Sequence, residues 1–190
     1  MKNILKTVFL LGILLFFSCK KSTYIPLDEA QKSGYLQLGD SIATEMQKVL
    51  LQNVSSAIQQ GGPEYAVTFC NTQAMPLTDS ISKKYDVQIS RLSDKNRNPM
   101  NALESSRDRI SWEKIKSDKK DFVIQESAEA IYYYKPIAIG MPTCLQCHGG
   151  TSDIAQETMD VIKLNYPNDK AVGYQTGDLR GMWKIEFNLQ

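Results

Sequence analysis

Phe122-Val123-Ile124 and Ile131-Tyr132-Tyr133-Tyr134-Lys135-Pro136-Ile137-Ala138-Ile139 decide the fold class. Both runs are rich in β-branched and aromatic residues, and a polar segment joins them. Such residues fit a pleated, half-buried surface, so the pair predicts a β-hairpin, with the three tyrosines as strand packing. Upstream, Val87-Gln88-Ile89-Ser90-Arg91-Leu92 alternates apolar and polar with the period of a strand. Downstream, residues 181–189 alternate in the same way and predict the last strand.

Helices surround these strands. Leu36, Leu38, Ile42, Met46, Val49, Leu50, Val54, Ala57 and Ile58 mostly recur at three or four residues, predicting a long helix over 34–60. Gly61-Gly62-Pro63 is expected to end it. Residues 64–71 read as a short second helix stopped near Pro76, and 77–85 as a third. Residues 94–101 form a polar loop around Arg97-Asn98-Pro99, and 102–116 and 154–164 are helical by pattern. Residues 142–150 are expected to be a loop or a single helical turn, and 167–177 are turn-rich. The order predicts an α+β domain with an antiparallel sheet, not regular βαβ units.

The chain has 190 residues, 42% of them hydrophobic and 23% charged, which are ordinary globular values. Its first 18 residues stand apart. Lys2 and Lys6 precede an apolar run from Val8 to Phe17, and Ser18-Cys19 closes it. The run is about half of the ~20 residues that span a bilayer, so 1–18 reads as a signal peptide. Ser18-Cys19 suits a lipoprotein box in which Cys19 is lipidated. Residues 19–33, polar and with Pro26, read as a tether, leaving 34–190 as the domain. Removal of 1–18 takes away two lysines and no acid, leaving 20 basic against 21 acidic residues. No electrostatic footprint for nucleic acid exists.

Cys144-Leu145-Gln146-Cys147-His148 is the chemical motif. Two thiols three positions apart, with histidine next, form the attachment signature of c-type haem. The thiols add to the two vinyl groups, and the histidine reaches the iron. Zinc would want a fourth protein ligand and a second Cys/His pair. A redox CxxC would want a βαβ context. A plain disulfide is the remaining alternative, and export through the signal peptide favours haem c. His148 is the only histidine, so one covalent haem is expected, and its second axial ligand must be something else. Cys19 takes the lipid, which leaves Cys70 as an odd thiol in the apolar segment 65–71. Cys70, a methionine (Met75, Met100 or Met141) or an open position are the alternatives.

Four motifs in order then resemble a known family: Phe69-Cys70; Arg97-Asn98-Pro99-Met100-Asn101; Cys144 to Gly149; and Tyr166-Pro167-Asn168-Asp169-Lys170-Ala171-Val172-Gly173-Tyr174 with Gly177-Asp178-Leu179-Arg180-Gly181. They are similar to the haem-c-binding, PAS-like domains of the bacterial extracytoplasmic space, once catalogued as a domain of unknown function. The resemblance covers roughly residues 40–189. It implies a PAS-like antiparallel sheet with flanking helices. It also implies that Cys70 is the iron ligand opposite His148, and that Arg97, Asn98, Arg180 and Tyr174 shape the pocket or meet the haem propionates. The expectation is a membrane-anchored, periplasm-facing lipoprotein with a redox or gas-sensing role and a redox or signalling protein partner. A membrane-tethered electron carrier is the alternative. With one histidine and no clear distal acid–base pair, no enzymatic activity is expected.

Overall fold

The computed structural model describes residues 25–188. The signal peptide 1–18, Cys19 and the start of the tether lie outside the described residues. Helix α1 (Glu29–Tyr85) is followed by β1 (Val87–Leu92), α2 (Ser106–Asp118), β2 (Phe122–Gln125), β3 (Ala130–Ala138), α3 (Leu145–His148), α4 (Gln156–Asn165) and β4 (Leu179–Asn188). Short 3₁₀ turns, Pro99–Asn101 and Pro142–Cys144, precede α2 and α3. The four strands form one antiparallel sheet in the order β1-β4-β3-β2. This is the α+β, PAS-like architecture expected from the sequence.

Helix α1 departs from expectation at its start and at two interior breakers, and ends at Tyr85, where the third expected helix ends. It begins at Glu29 instead of 34, because Asp28 caps it: Asp28 accepts from the Gln31 backbone N–H, and the Gln31 side chain accepts from that of Asp28. This reciprocal capping box satisfies two amides that would otherwise lack partners, and it turns the last residues of the expected tether into helix. The Gly61-Gly62 break is real, but it is a kink and not a terminus. Gly62 has φ 73°, a left-handed conformation that favours glycine, and Pro63 restarts the helix where a missing N–H costs nothing. Pro76 does not stop it. Ala74, Thr78 and Ile81 are buried around the proline, and their packing outweighs the one backbone hydrogen bond it removes.

The core has two layers, one on each face of the sheet. Ile42, Ala43 and Met46 of α1 pack on Tyr133, Trp183, Ile185 and Phe187. Trp112 and Ile115 of α2 cover Tyr132, Tyr134 and Met182 on the other face. The alternation of Tyr132, Tyr133 and Tyr134 between faces is that of a strand buried on both sides. Tyr134 donates to the buried Asp108 (2.8 Å), and Tyr133 donates to Asp121 (3.0 Å), so each phenol is satisfied. Pro136 is tolerated in β3 because β2 already ends opposite Tyr134, which leaves that edge of β3 free.

Helix α1 meets the sheet closely at buried Gly39. A β-carbon there would lie 2.6 Å from Cδ2 of the fully buried Tyr133 ring. Gly→Ala ordinarily gains about 1 kcal/mol in a helix. Here overpacking dominates, and Gly39→Ala should destabilise the domain by roughly 1–3 kcal/mol. Urea unfolding would show a lower midpoint with an unchanged m-value; an equal or higher midpoint would mean that the contact is loose.

Candidate functional site

One cavity of about 400 Å³ opens on the α1 side of the sheet. Its walls are mostly apolar. Leu50, Val54 and Ile58 come from α1 before the kink, Val67 and Cys70 from α1 after it, Ile137 from the end of β3 and Ile139 from just beyond it. Trp183 and Gly181 of β4 form the floor, and Arg91 of β1 stands beside them. A β-carbon on Gly181 would meet the Leu92 carbonyl at 2.7 Å, so glycine is what allows β1 and β4 to close there.

The cavity collects residues far apart in sequence. Cys70, Cys144, Cys147 and His148 all line it, as do Arg97, Asn98 and Arg180. Cys144 ends the 3₁₀ turn and Cys147 lies on the single turn of α3, so the two thiols share one face, with His148 next. All three described cysteines are unbonded. The thiols and the imidazole surround a volume instead of converging on a point. Among the described residues no group of three His, Cys, Asp or Glu is placed to hold a bare metal ion.

His148 is fixed from behind. Its Nδ1–H donates to the Ala171 carbonyl (2.8 Å), which leaves the lone pair on Nε2. Burial, helped by the charges of Arg97 and Arg180, holds the imidazole well below its usual pKa, so it is neutral at pH 7. The backbone N–H groups of Gly173 and Tyr174 donate to the Gly149 and His148 carbonyls (2.7 and 2.9 Å) and pin residues 171–174 against the motif. Tyr174 does not line the cavity. It is buried edge-on to the His148 ring, with centroids 6.4 Å apart, and Lys95 and Arg180 lie over its face.

Arg97 lines the cavity, but its guanidinium is committed. Nε and Nη2 donate to the two carboxylate oxygens of Asp169 (3.1 and 3.0 Å), and Nη2 also donates to the Cys147 carbonyl (2.6 Å). A bidentate fork of this kind fixes geometry as well as charge. Arg97 therefore braces the thiol-bearing turn. Asn98 caps the first 3₁₀ turn, accepting from the Met100 N–H (3.0 Å). Arg180 donates from Nη1 to the Lys95 carbonyl (3.2 Å), while its buried Nε has no partner among the described residues.

Burial pushes the Cys70 thiol up, and Arg91 and Arg97 pull it partly back. Cys147 is pushed up to about 11, again mainly by burial. Met141 lines the cavity and is 45% exposed, whereas Met75 and the 75%-exposed Met100 lie outside it.

Arg91 escaped the sequence reading, although a signal existed. In the alternating strand, Val87, Ile89 and Arg91 share one phase, and the first two are buried. A charge at the core phase of a strand marks a site.

The family model described as Tll0287-like: Tll0287 matches residues 29–188. Among solved structures, the chain is similar to the one titled "Crystal structure of the cyanobacterial heme-protein Tll0287". The TM-score is 0.63 at 22% identity, over 81% of this chain and 96% of that one. At that identity the likeness is one of fold. No curated protein matches the chain. The matched segment runs from the first turn of α1 to the end of β4, and so includes every strand and the whole cavity: the chain belongs to the Tll0287-like family.

Proposed function

We propose that the cavity holds one haem, which Cys144 and Cys147 would attach as haem c and whose iron His148 and Cys70 would hold. The observation that carries this reading is the convergence of Cys70, Cys144, Cys147 and His148 on a single apolar cavity from two separate stretches of chain. The residues fit the group. The volume is that of an ordinary cofactor site, its walls are apolar, and an orphaned guanidinium nitrogen of Arg180 can meet a carboxylate. The relative of known structure is titled a haem protein. Bound there, haem would supply a one-electron iron centre whose potential depends on axial ligands, burial and nearby hydrogen bonds.

The chain's own residues favour a sensing role over catalysis. Among the described residues no carboxylate lines the cavity, and His148 is the only histidine of the sequence. Cys70 is a half-buried thiol: burial favours its neutral form and bound ferric iron would favour the thiolate, so its hold on the iron would depend on oxidation state. It sits on the same helix whose first half covers the cavity and runs back to Glu29. A change at Cys70 would thus bear on the segment that leads to the proposed lipid anchor at Cys19. The electron-carrier reading rests on the rim, where exposed Met141 and Thr143 line the cavity and would let an edge of the group reach the surface. Both readings place the domain on the extracytoplasmic face of a membrane, with a redox or signalling protein as partner. Among the described residues no helix is long and apolar enough to cross a membrane.

Intact-mass measurement tests the haem and the anchor together. Made with cytochrome c maturation available, the exported protein should have the mass of residues 19–190 plus one haem plus acyl chains. Cys19→Ser should lose the acyl mass and keep the haem. A colourless exported protein would overturn the haem reading, and an unchanged acyl mass in Cys19→Ser would overturn the anchor.

A further inference from the structure

We propose that Arg91 and Arg180 together form a carboxylate receptor at the sheet end of the cavity, and that they, not Arg97, take the acidic arms of the bound group. This rests on the haem reading, since haem carries two propionates.

Three guanidiniums face the cavity, and their commitments differ. Arg97 is answered by the two oxygens of Asp169. The Arg91 side chain makes no hydrogen bond and no ion pair among the described residues; the Trp183 ring lies 5.8 Å away, directly across the β1–β4 register, and the neutral Cys70 and Tyr166 are near enough to feel its charge. Arg180 has one backbone acceptor, and its buried Nε has none. Among the described residues that line the cavity there is no carboxylate. Arg91 and Arg180 also repel each other, and Arg97 adds to that repulsion. Burial disfavours both charges, yet arginine stays protonated. Two cations held without counter-charges in an apolar cavity are costly, and an uncharged ligand would leave them so. A ligand with two carboxylates removes the cost, and the planar fork of arginine suits that group.

Other ionisable groups around the cavity are Cys70 on α1, Cys144, Cys147 and His148 on the haem-binding segment, and Tyr166, which burial pushes up to about 12. Because wild type and variants share them, the difference between the proteins isolates the arginines. The experiment is a spectroscopic redox titration of the full haem-loaded chain across about pH 4–9. Ionisation of a carboxylate adds negative charge and favours ferric iron, so the midpoint potential falls through its pKa. With an arginine opposite, that inflection lies low. Arg91→Gln and Arg180→Gln should each move it about 1–3 pH units higher, the usual effect of losing a neighbouring opposite charge. Arg91→Lys should restore most of the low value. Arg107→Gln, on the opposite face of the sheet over Tyr132, should match wild type. If Arg91→Gln fails to export, Arg180→Gln against Arg91→Lys decides. Inflections equal to wild type in the glutamine variants would overturn the receptor. Absence of covalent pigment in wild type would overturn the haem reading instead.

Discussion

Asp169→Asn should destabilise the folded domain by about 3–5 kcal/mol, the range for removing one member of a buried ion pair. Both partners qualify as buried: the side chains of Arg97 and Asp169 are 11% and 8% exposed. The substitution leaves the Arg97 charge where it was, facing a neutral amide. It also weakens the bond from the Ala171 N–H to Asp169 Oδ1 (2.9 Å), and Ala171 is the residue whose carbonyl holds His148 Nδ1. The loss is therefore local to the motif as well as global. For a domain of this size the melting temperature should fall by roughly 6–20 °C. Removing both charges with Arg97→Met and Asp169→Leu should recover part of the stability, because most of the cost is the orphaned cation and not the missing attraction. A change below about 1 kcal/mol in Asp169→Asn would place the pair among surface ion pairs and remove Arg97 as a brace.

Much of the frame was legible because strands declare themselves by period. The boundaries of Val87–Leu92 were read directly, and the hairpin was placed within a residue or two, since each strand has apolar residues at fixed phase and a polar boundary. The long helix was harder. Gly61-Gly62-Pro63 and Pro76 are both local breakers, and sequence alone weighs them alike. The fold treats them differently, because a left-handed glycine bends the chain whatever surrounds it, while the cost of an interior proline can be outweighed by packing. The early start at Glu29 was legible in principle, since Asp28 and Gln31 stand at capping-box spacing.

The site divided along a similar line. An attachment signature has a fixed local spacing, so Cys144, Cys147 and His148 stand out as candidates in the sequence. The partner of His148 is a backbone carbonyl, which no residue type announces. The roles of the three arginines depend on which carboxylate each can reach, and that is a property of the folded chain. Arg97 and Asp169 are 72 positions apart, and nothing in either loop forecasts their pairing. Arg91 was hidden for the opposite reason: it occupies an ordinary place in a regular strand, and only its phase marks it as unusual.

Cys70→Ala should convert the ferric spectrum from low-spin to high-spin while the pigment stays covalently attached. The alternatives for the second ligand separate by position. Met75 and Met100 do not line the cavity, Met141 lines it from an exposed rim, and the half-buried Cys70 lines it from α1. In the protein alone, burial favours the neutral thiol, with Arg91 and Arg97 opposing it too weakly to reverse the direction. A ferric ion at that point adds the positive charge that makes the thiolate the stable form. Loss of that thiolate removes a donor that favours ferric iron, so the midpoint potential should rise, and CO or NO should bind more readily at the vacated position. The substitution deletes one sulfur from a cavity wall, so the melting temperature should change little compared with Asp169→Asn. That contrast separates a ligand role from a packing role: a core cysteine would alter stability and leave the spectrum alone. Ferric optical and EPR spectra identical to wild type would exclude Cys70 as a ligand. Met141 would then be the one remaining sulfur among the described residues that lines the cavity outside Cys144–His148, and the thiol on α1 would no longer support sensing over electron transfer.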